Sequence, residues 1–234
     1  MRAGIIQSCY LPWRGYFDFI ASVDVFVIYD DVQYTRRSWR NRNRVKTNHG
    51  LSWITVPVVV HGKPAIDEVQ IADIDKSWRD RHRELLTQSL GRAPYFRDCL
   101  DLWLEGTAGD NKSLSLMNTA LLRSICQYLG IKTTLLNSRD YQASGHGTSR
   151  MIELLSKLGA TCYLSGPSAS DYLDEAEFAR QGIRLEYKSY DYAPYPQQWG
   201  DFVDGVTILD LIASQGSNAA AFLRSRIPDV VAVP

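Results

Sequence analysis

Five arginines and one lysine fall within eleven residues: Arg36, Arg37, Arg40, Arg42, Arg44 and Lys46. Two carboxylates, Asp30 and Asp31, stand just ahead of them. A guanidinium is a planar fork that takes a phosphate through paired hydrogen bonds. Arg40, Arg42 and Arg44 alternate, so an extended chain places them on one face. A carboxylate beside them can bind a sugar hydroxyl, accept a proton from an amine or hold a metal. Asp30 and Asp31 point in opposite directions if the preceding strand continues, so at most one faces a ligand. Gln33, Asn41 and Asn43 add directional hydrogen bonding. The expected ligand is a diphosphate, as in a nucleotide sugar, held by Arg40, Arg42 and Lys46. Tyr34 and Trp39 interleave with the cations, a pattern that also suits single-stranded RNA or tRNA. A solvated loop paired with acids elsewhere is the third reading of such a charge run.

Three other segments have chemical potential. Pro12-Trp13-Arg14-Gly15-Tyr16 follows an apolar strand and opens a helix, where backbone N–H groups meet phosphates in α/β folds. Tyr10, Trp13 and Tyr16 are expected to stack on a ligand or enclose it. The segment resembles the Pro-His-x-Gly-His signature of the nucleotidylyltransferase superfamily, with Trp13 and Tyr16 at the histidine positions. Neither carries the positive charge of a histidine, so the resemblance implies a nucleotide-binding type of fold more than nucleotidyl transfer. Ser144 to Arg150 is a glycine-bearing loop entering a helix, with His146 as a candidate acid or base. Ser165, Gly166, Ser168, Asp171 and Tyr172 form a second small-residue loop, expected to hydrogen-bond a ligand. Gln197, in Tyr195-Pro196-Gln197, is expected to close the pocket.

The elements that position these residues read as an α/β fold with an open, mostly parallel, Rossmann-like sheet. Strands are expected at 3–7, 24–29, 51–60, 133–136, 161–164 and 183–187. Helices are expected at 15–22, 149–158, 174–181, 206–214 and 219–226, with Thr148 capping the second. Residues 64–75 read as a short irregular β segment. Helices at 77–90, 94–104 and 111–129 make 77–130 an expected helical insertion in a single domain spanning 1–234. Residues 30–50 read only as a polar, basic stretch.

Composition narrows the function classes. Lys plus Arg and Asp plus Glu are both 26, so no overall field draws the chain to nucleic acid or anionic membrane. No apolar run approaches the roughly 20 residues of a membrane span, and a cytoplasmic location is expected. Four scattered cysteines and four histidines give no metal-ligating spacing, so no metal site is expected. The residues do not identify a cofactor.

Gln7, Tyr10-Leu11-Pro12-Trp13, Gly15-Tyr16-Phe17, Asp30-Asp31-Val32-Gln33 and Arg40-Asn41-Arg42-Asn43-Arg44 together resemble the WbqC-like family. Tyr163-Leu164-Ser165-Gly166, Asp171-Tyr172-Leu173 and Tyr195-Pro196-Gln197 extend the resemblance over nearly the whole chain. It implies a role in bacterial surface-polysaccharide, or O-antigen, biosynthesis. The activity implied is a transferase that modifies an amino sugar or sugar nucleotide by acyl or aminoacyl transfer. An amide-forming enzyme using aminoacyl-tRNA and a nucleotide-binding scaffold without catalysis are the alternatives.

Overall fold

A computed structural model describes residues 1–72, 78–109 and 112–234. The chain opens with β1 (Arg2–Ile6), α1 (Arg14–Ala21) and β2 (Val25–Ile28). A hairpin of β3 (Arg42–Thr47) and β4 (Gly50–Thr55) follows, then β5 (Val58–Val59) and β6 (Gln70–Ile71). Three helices come next: α2 (Trp78–Leu90), α3 (Phe96–Gly106) and α4 (Leu114–Tyr128). The last part alternates again: β7 (Thr134–Asn137), α5 (Gly147–Leu158), β8 (Cys162–Ser165), α6 (Glu175–Arg180), β9 (Arg184–Tyr187), α7 (Ile208–Gln215) and β10 (Val230–Val233).

The main sheet runs in the order β10-β9-β8-β1-β2-β7. All its pairings are parallel except β9 with β10. The central strands β1, β2 and β8 are mostly apolar on both faces, as a sheet covered on both sides requires. Phe26, Ile28 and Leu164 face a core that includes Phe17, Ile20, Leu121 and Ile125 from α1 and α4. Ala3, Ile5, Val27 and Tyr163 face the opposite core, with Leu155 of α5 and Phe178 of α6. Gly4 lets α1 approach β1 closely, since a Cβ there would collide with the Phe19 ring.

The expected βαβ opening and the alternation after residue 130 are present. Helix ends follow local chemistry. Ser113 caps α4 by accepting from the Leu116 N–H, and Gly159 ends α5 in the left-handed conformation at φ +69°. Thr148 does not cap α5. The helix starts earlier, at Gly147, and the Thr148 hydroxyl accepts from the Asp174 N–H instead.

Four further expectations change. The 51–60 strand breaks at Pro57 into β4 and β5. The basic stretch contains β3, which pairs antiparallel with β4. The expected final helix is a 3-10 segment, Gly216–Phe222. The edge strand β10 was not expected. The expected helix starts at Ser77 and Asn111, and the end of the β segment at Asp75, lie outside the described residues. Among the described residues no helix is long and apolar enough to cross a membrane.

Candidate functional site

Strand order reverses at β1. The chain moves from β1 to β2 and β7 on one side, then returns to β8, β9 and β10 on the other. In open parallel sheets such a reversal leaves a crevice at the carboxyl ends of the strands. The residues leaving β1 and β2 there are Gln7, Ser8, Asp30 and Asp31.

Gln7 is the meeting point. Its backbone oxygen accepts from the Tyr16 hydroxyl at 2.9 Å and from Arg40 Nη1 at 3.0 Å. The same Nη1 also reaches Gln7 Oε1 at 3.3 Å and the Ser8 oxygen at 3.3 Å. Arg40 is half-buried, and Nη1 is its only guanidinium nitrogen bonded among the described residues. Nε and Nη2 stay available.

The two carboxylates diverge, as expected of consecutive residues leaving a strand. Asp30 turns inward and is buried. Its Oδ1 accepts from the Ser8 N–H at 2.8 Å, and its Oδ2 from the Ser115 hydroxyl at 2.5 Å. Burial raises its pKa above the usual carboxylate value, and the bonds from Ser115 and Ser8 and the charge of Arg40 oppose that rise. Asp31 turns toward α5, where Arg150 Nη2 binds its Oδ2 at 2.6 Å and the Ser138 hydroxyl binds its Oδ1 at 2.5 Å. Arg150 also lies over the Tyr29 ring, 5.1 Å from its centroid.

Three residues complete this cluster that the sequence reading did not select as site residues: Arg150, Ser115 and Asn118. Asn118 is wholly buried. Its Nδ2 donates to Ser8 Oγ and to the Arg40 carbonyl, while its Oδ1 is buried without a partner. Ser115 and Asn118 sit on the buried face of α4 among Leu114, Met117 and Leu121. Polar residues inside that apolar stripe were the available signal. Arg150 had a weaker one, its place in the first turn of a helix.

Several residues expected to contact a ligand are engaged within the chain. Tyr10 is a core residue with no exposed surface. Its hydroxyl accepts from Trp103 Nε1 at 2.8 Å and bonds His82 Nδ1 at 3.0 Å. Tyr16 is buried beside Phe17 and Phe26, so only its hydroxyl reaches the crevice. Trp13 is half-buried against Tyr190 and Tyr192. Asn41 is spent on the Tyr34 hydroxyl and the Val56 oxygen. Lys46 is buried and bonds Gln197 Oε1 and the Gly200 and Asp201 oxygens, three acceptors for three ammonium hydrogens. Gln197 clamps its own loop through Val203 and Tyr195. Arg42 leaves the crevice to stack on Trp53.

The remaining candidates lie at strand and helix ends. Ser165 closes β8, buried, with its hydroxyl on the Tyr163 hydroxyl. Gly166 follows it with open space where a side chain would be. Ser168, Asp171, Tyr172, Gln33 and His146 are exposed, and His146 stands at the head of α5. Among the described residues no group of His, Cys, Asp and Glu could hold a metal ion.

Gly15 maintains the turn that leads into the site. A Cβ there would collide with the Trp13 indole. Gly15→Ala is expected to cost about 1–3 kcal/mol, read as a lower urea midpoint at unchanged slope.

A cavity of about 1110 Å³ lies elsewhere, among Arg2, Asp18, Lys132, Lys188, Arg224 and Asp229. Its buried charges mostly satisfy one another. Lys188 bonds Asp18 at 2.9 Å and Asp229 at 3.2 Å, and Arg2 bonds Asp229 and Glu186. The crevice is the better candidate because Arg40 keeps Nε and Nη2 unbonded there, at the carboxyl ends of β1 and β2.

Comparison with known proteins agrees in extent. The model of the WbqC-like protein family matches residues 7–222. The uncharacterized protein Rv1507c of Mycobacterium tuberculosis is 46% identical over 228 residues, covering 95% of this chain and 97% of that protein. No solved structure matches.

Proposed function

The chain belongs to the WbqC-like protein family, and on that premise we propose that it is a transferase of bacterial surface-polysaccharide biosynthesis acting on a sugar nucleotide or amino sugar. One observation carries the reading. Arg40 returns from the segment beyond β2 to the end of β1, where Nη1 bonds Gln7 and Ser8 and its charge acts on the buried Asp30.

Arg40 Nε and Nη2 bind the phosphate of the ligand in a charge-assisted pair. Gln7 Oε1 offers an acceptor to a sugar hydroxyl. Asp30 takes a proton from the acceptor amine or hydroxyl. Its raised pKa supports that role, because a general base works best when its pKa approaches the operating pH.

Calorimetry with UDP-, GDP- and dTDP-sugars tests the proposal. The unaltered chain is expected to bind at least one of them. Arg40→Ala is expected to weaken that binding about 10- to 100-fold, the loss of one charge-assisted hydrogen-bonding group. Silence of the unaltered chain across the whole panel overturns the proposal.

A further inference from the structure

The basic segment is only partly used by the crevice. Residues 32–66 contain five arginines, two lysines and no acid. The remainder of the chain holds 19 cations against all 26 acids. A chain of zero net charge is thus strongly polarised, and its positive part is built around the β3–β4 hairpin.

The hairpin has two distinct faces. Asn43 and Val45 turn inward, where Asn43 donates to the Leu11 oxygen at 2.7 Å and Val45 is fully buried. Arg42 and Arg44 turn outward. Arg44 lies opposite Trp53 in the ladder. The Arg42 guanidinium sits 4.0 Å from the Trp53 ring centroid, and that of Arg44 5.7 Å from Trp39. The two indoles are 5.6 Å apart and are 43% and 47% exposed. Nε of both arginines is buried without a partner. Arg42 Nη2 donates to the Arg37 oxygen, and the Arg44 side chain makes no hydrogen bond among the described residues.

Both guanidinium groups therefore lie over indoles, and Arg42 Nη1 and both terminal nitrogens of Arg44 make no hydrogen bond among the described residues. The facing loop supplies two acids, Asp201 and Asp204, and Asp204 is bound by Arg14. This is an open surface rather than a cavity. It alternates planar cations with aromatic rings, and both stack on nucleobases while guanidinium nitrogens take phosphates.

We infer that the outward face of the β3–β4 hairpin binds a single-stranded nucleic acid. Phosphates meet Arg42 and Arg44, and bases pack on Trp39 and Trp53. This site is separate from the crevice and stands or falls independently of it.

The test is fluorescence anisotropy of a labelled oligouridylate of about 12 nucleotides, titrated with the intact chain at about 50 and about 200 mM salt. The DNA strand, duplex RNA and dextran sulfate are run alongside. Expected results are salt-sensitive binding of the single strands and quenching of tryptophan emission. Trp53→Ala is expected to weaken binding about tenfold. The double substitution Arg42→Ala, Arg44→Ala should flatten the log–log salt slope by about 1.4. If that pair fails to fold, Arg42→Lys with Arg44→Lys decides: the salt slope is kept, and affinity falls as stacking is lost. RNA alone or DNA alone binding identifies the strand and supports the inference. No binding at low salt overturns it. So does duplex RNA or dextran sulfate binding as tightly as the single strand, or an unchanged affinity in Trp53→Ala.

Discussion

Arg14→Ala is expected to lower the thermal midpoint by about 6–12 °C, corresponding to roughly 3 kcal/mol in a chain of this size. Arg14 opens α1, yet its side chain is 3% exposed. Nε and Nη2 hold the Asp204 carboxylate at 3.2 and 3.0 Å, and Nη1 donates to the Ala193 oxygen at 2.7 Å. The guanidinium lies 4.7 Å from the Tyr192 centroid, 5.2 Å from Tyr195 and 5.4 Å from Phe202. Alanine leaves a void among three rings and frees a carbonyl that had a charged donor. Asp204 is 43% exposed and regains water, which keeps the loss below that of a fully buried pair. Arg14→Lys keeps the charge but not the fork and should fall between the two. A midpoint within 2 °C of the unaltered chain by calorimetry, a change of about 1 kcal/mol or less, would show that the loop does not depend on this residue.

The second large effect is acid destabilisation through His82. Its Nε2 meets the Thr55 oxygen at 3.0 Å and its Nδ1 the Tyr10 hydroxyl, which in turn accepts from Trp103. That chain of bonds suits a neutral imidazole with its proton on Nε2. Burial lowers the His82 pKa from 6.5 to about 4. Above pH 6.5 neither the folded nor the unfolded chain protonates it, and its contribution is complete. Between pH 6.5 and about 4 the unfolded chain holds more protons, so stability falls as pH falls. The full loss by pH 4 is about 3 kcal/mol at 1.36 kcal/mol per pH unit. Asp30, with a raised pKa, pulls the other way in the acid range. Urea midpoints of the unaltered chain and His82→Gln, compared across pH 4 to 7, separate the two. The difference curve should slope through this window, and a flat one refutes the assignment.

The parallel sheet was legible because its strands are short, mostly apolar runs, and the helices before β7, β8 and β9 are followed by Gly130, Gly159 and Gly182. Leu121, Leu122 and Ile125 gave α4 directly. β3 was not legible from hydropathy. Its inward residues include Asn43 and Thr47, and its outward residues are cations that cover tryptophans, so the alternation of apolar and polar side chains is blurred. Only the spacing of Arg40, Arg42 and Arg44 hinted at an extended strand. β10 was missed because Val230–Val233 is a four-residue run whose role depends on β9, more than forty positions earlier in the chain.

The candidate site was legible in part. Gln7, Asp30, Asp31 and Arg40 were selected by residue type, and the fold gathers them. Lys46 and Asn41 were selected by the same logic and serve the structure instead. Residue type marks what a side chain can bond, while the tertiary neighbours decide whether its partner is a ligand or a carbonyl of the same chain. Tyr10 shows this most plainly, since its neighbours Trp103 and His82 come from two helices far along the sequence.

The central position of β1 has a consequence for how the chain is made. One side of β1 pairs with β2 within the first 28 residues, while the other pairs with β8, about 160 residues later. A ribosome working at about 5–20 residues per second takes roughly 10–30 s to cover that interval. Throughout it, one row of β1 amides and carbonyls has no partner strand, and the nascent chain carries an open edge of the kind that chaperones shield.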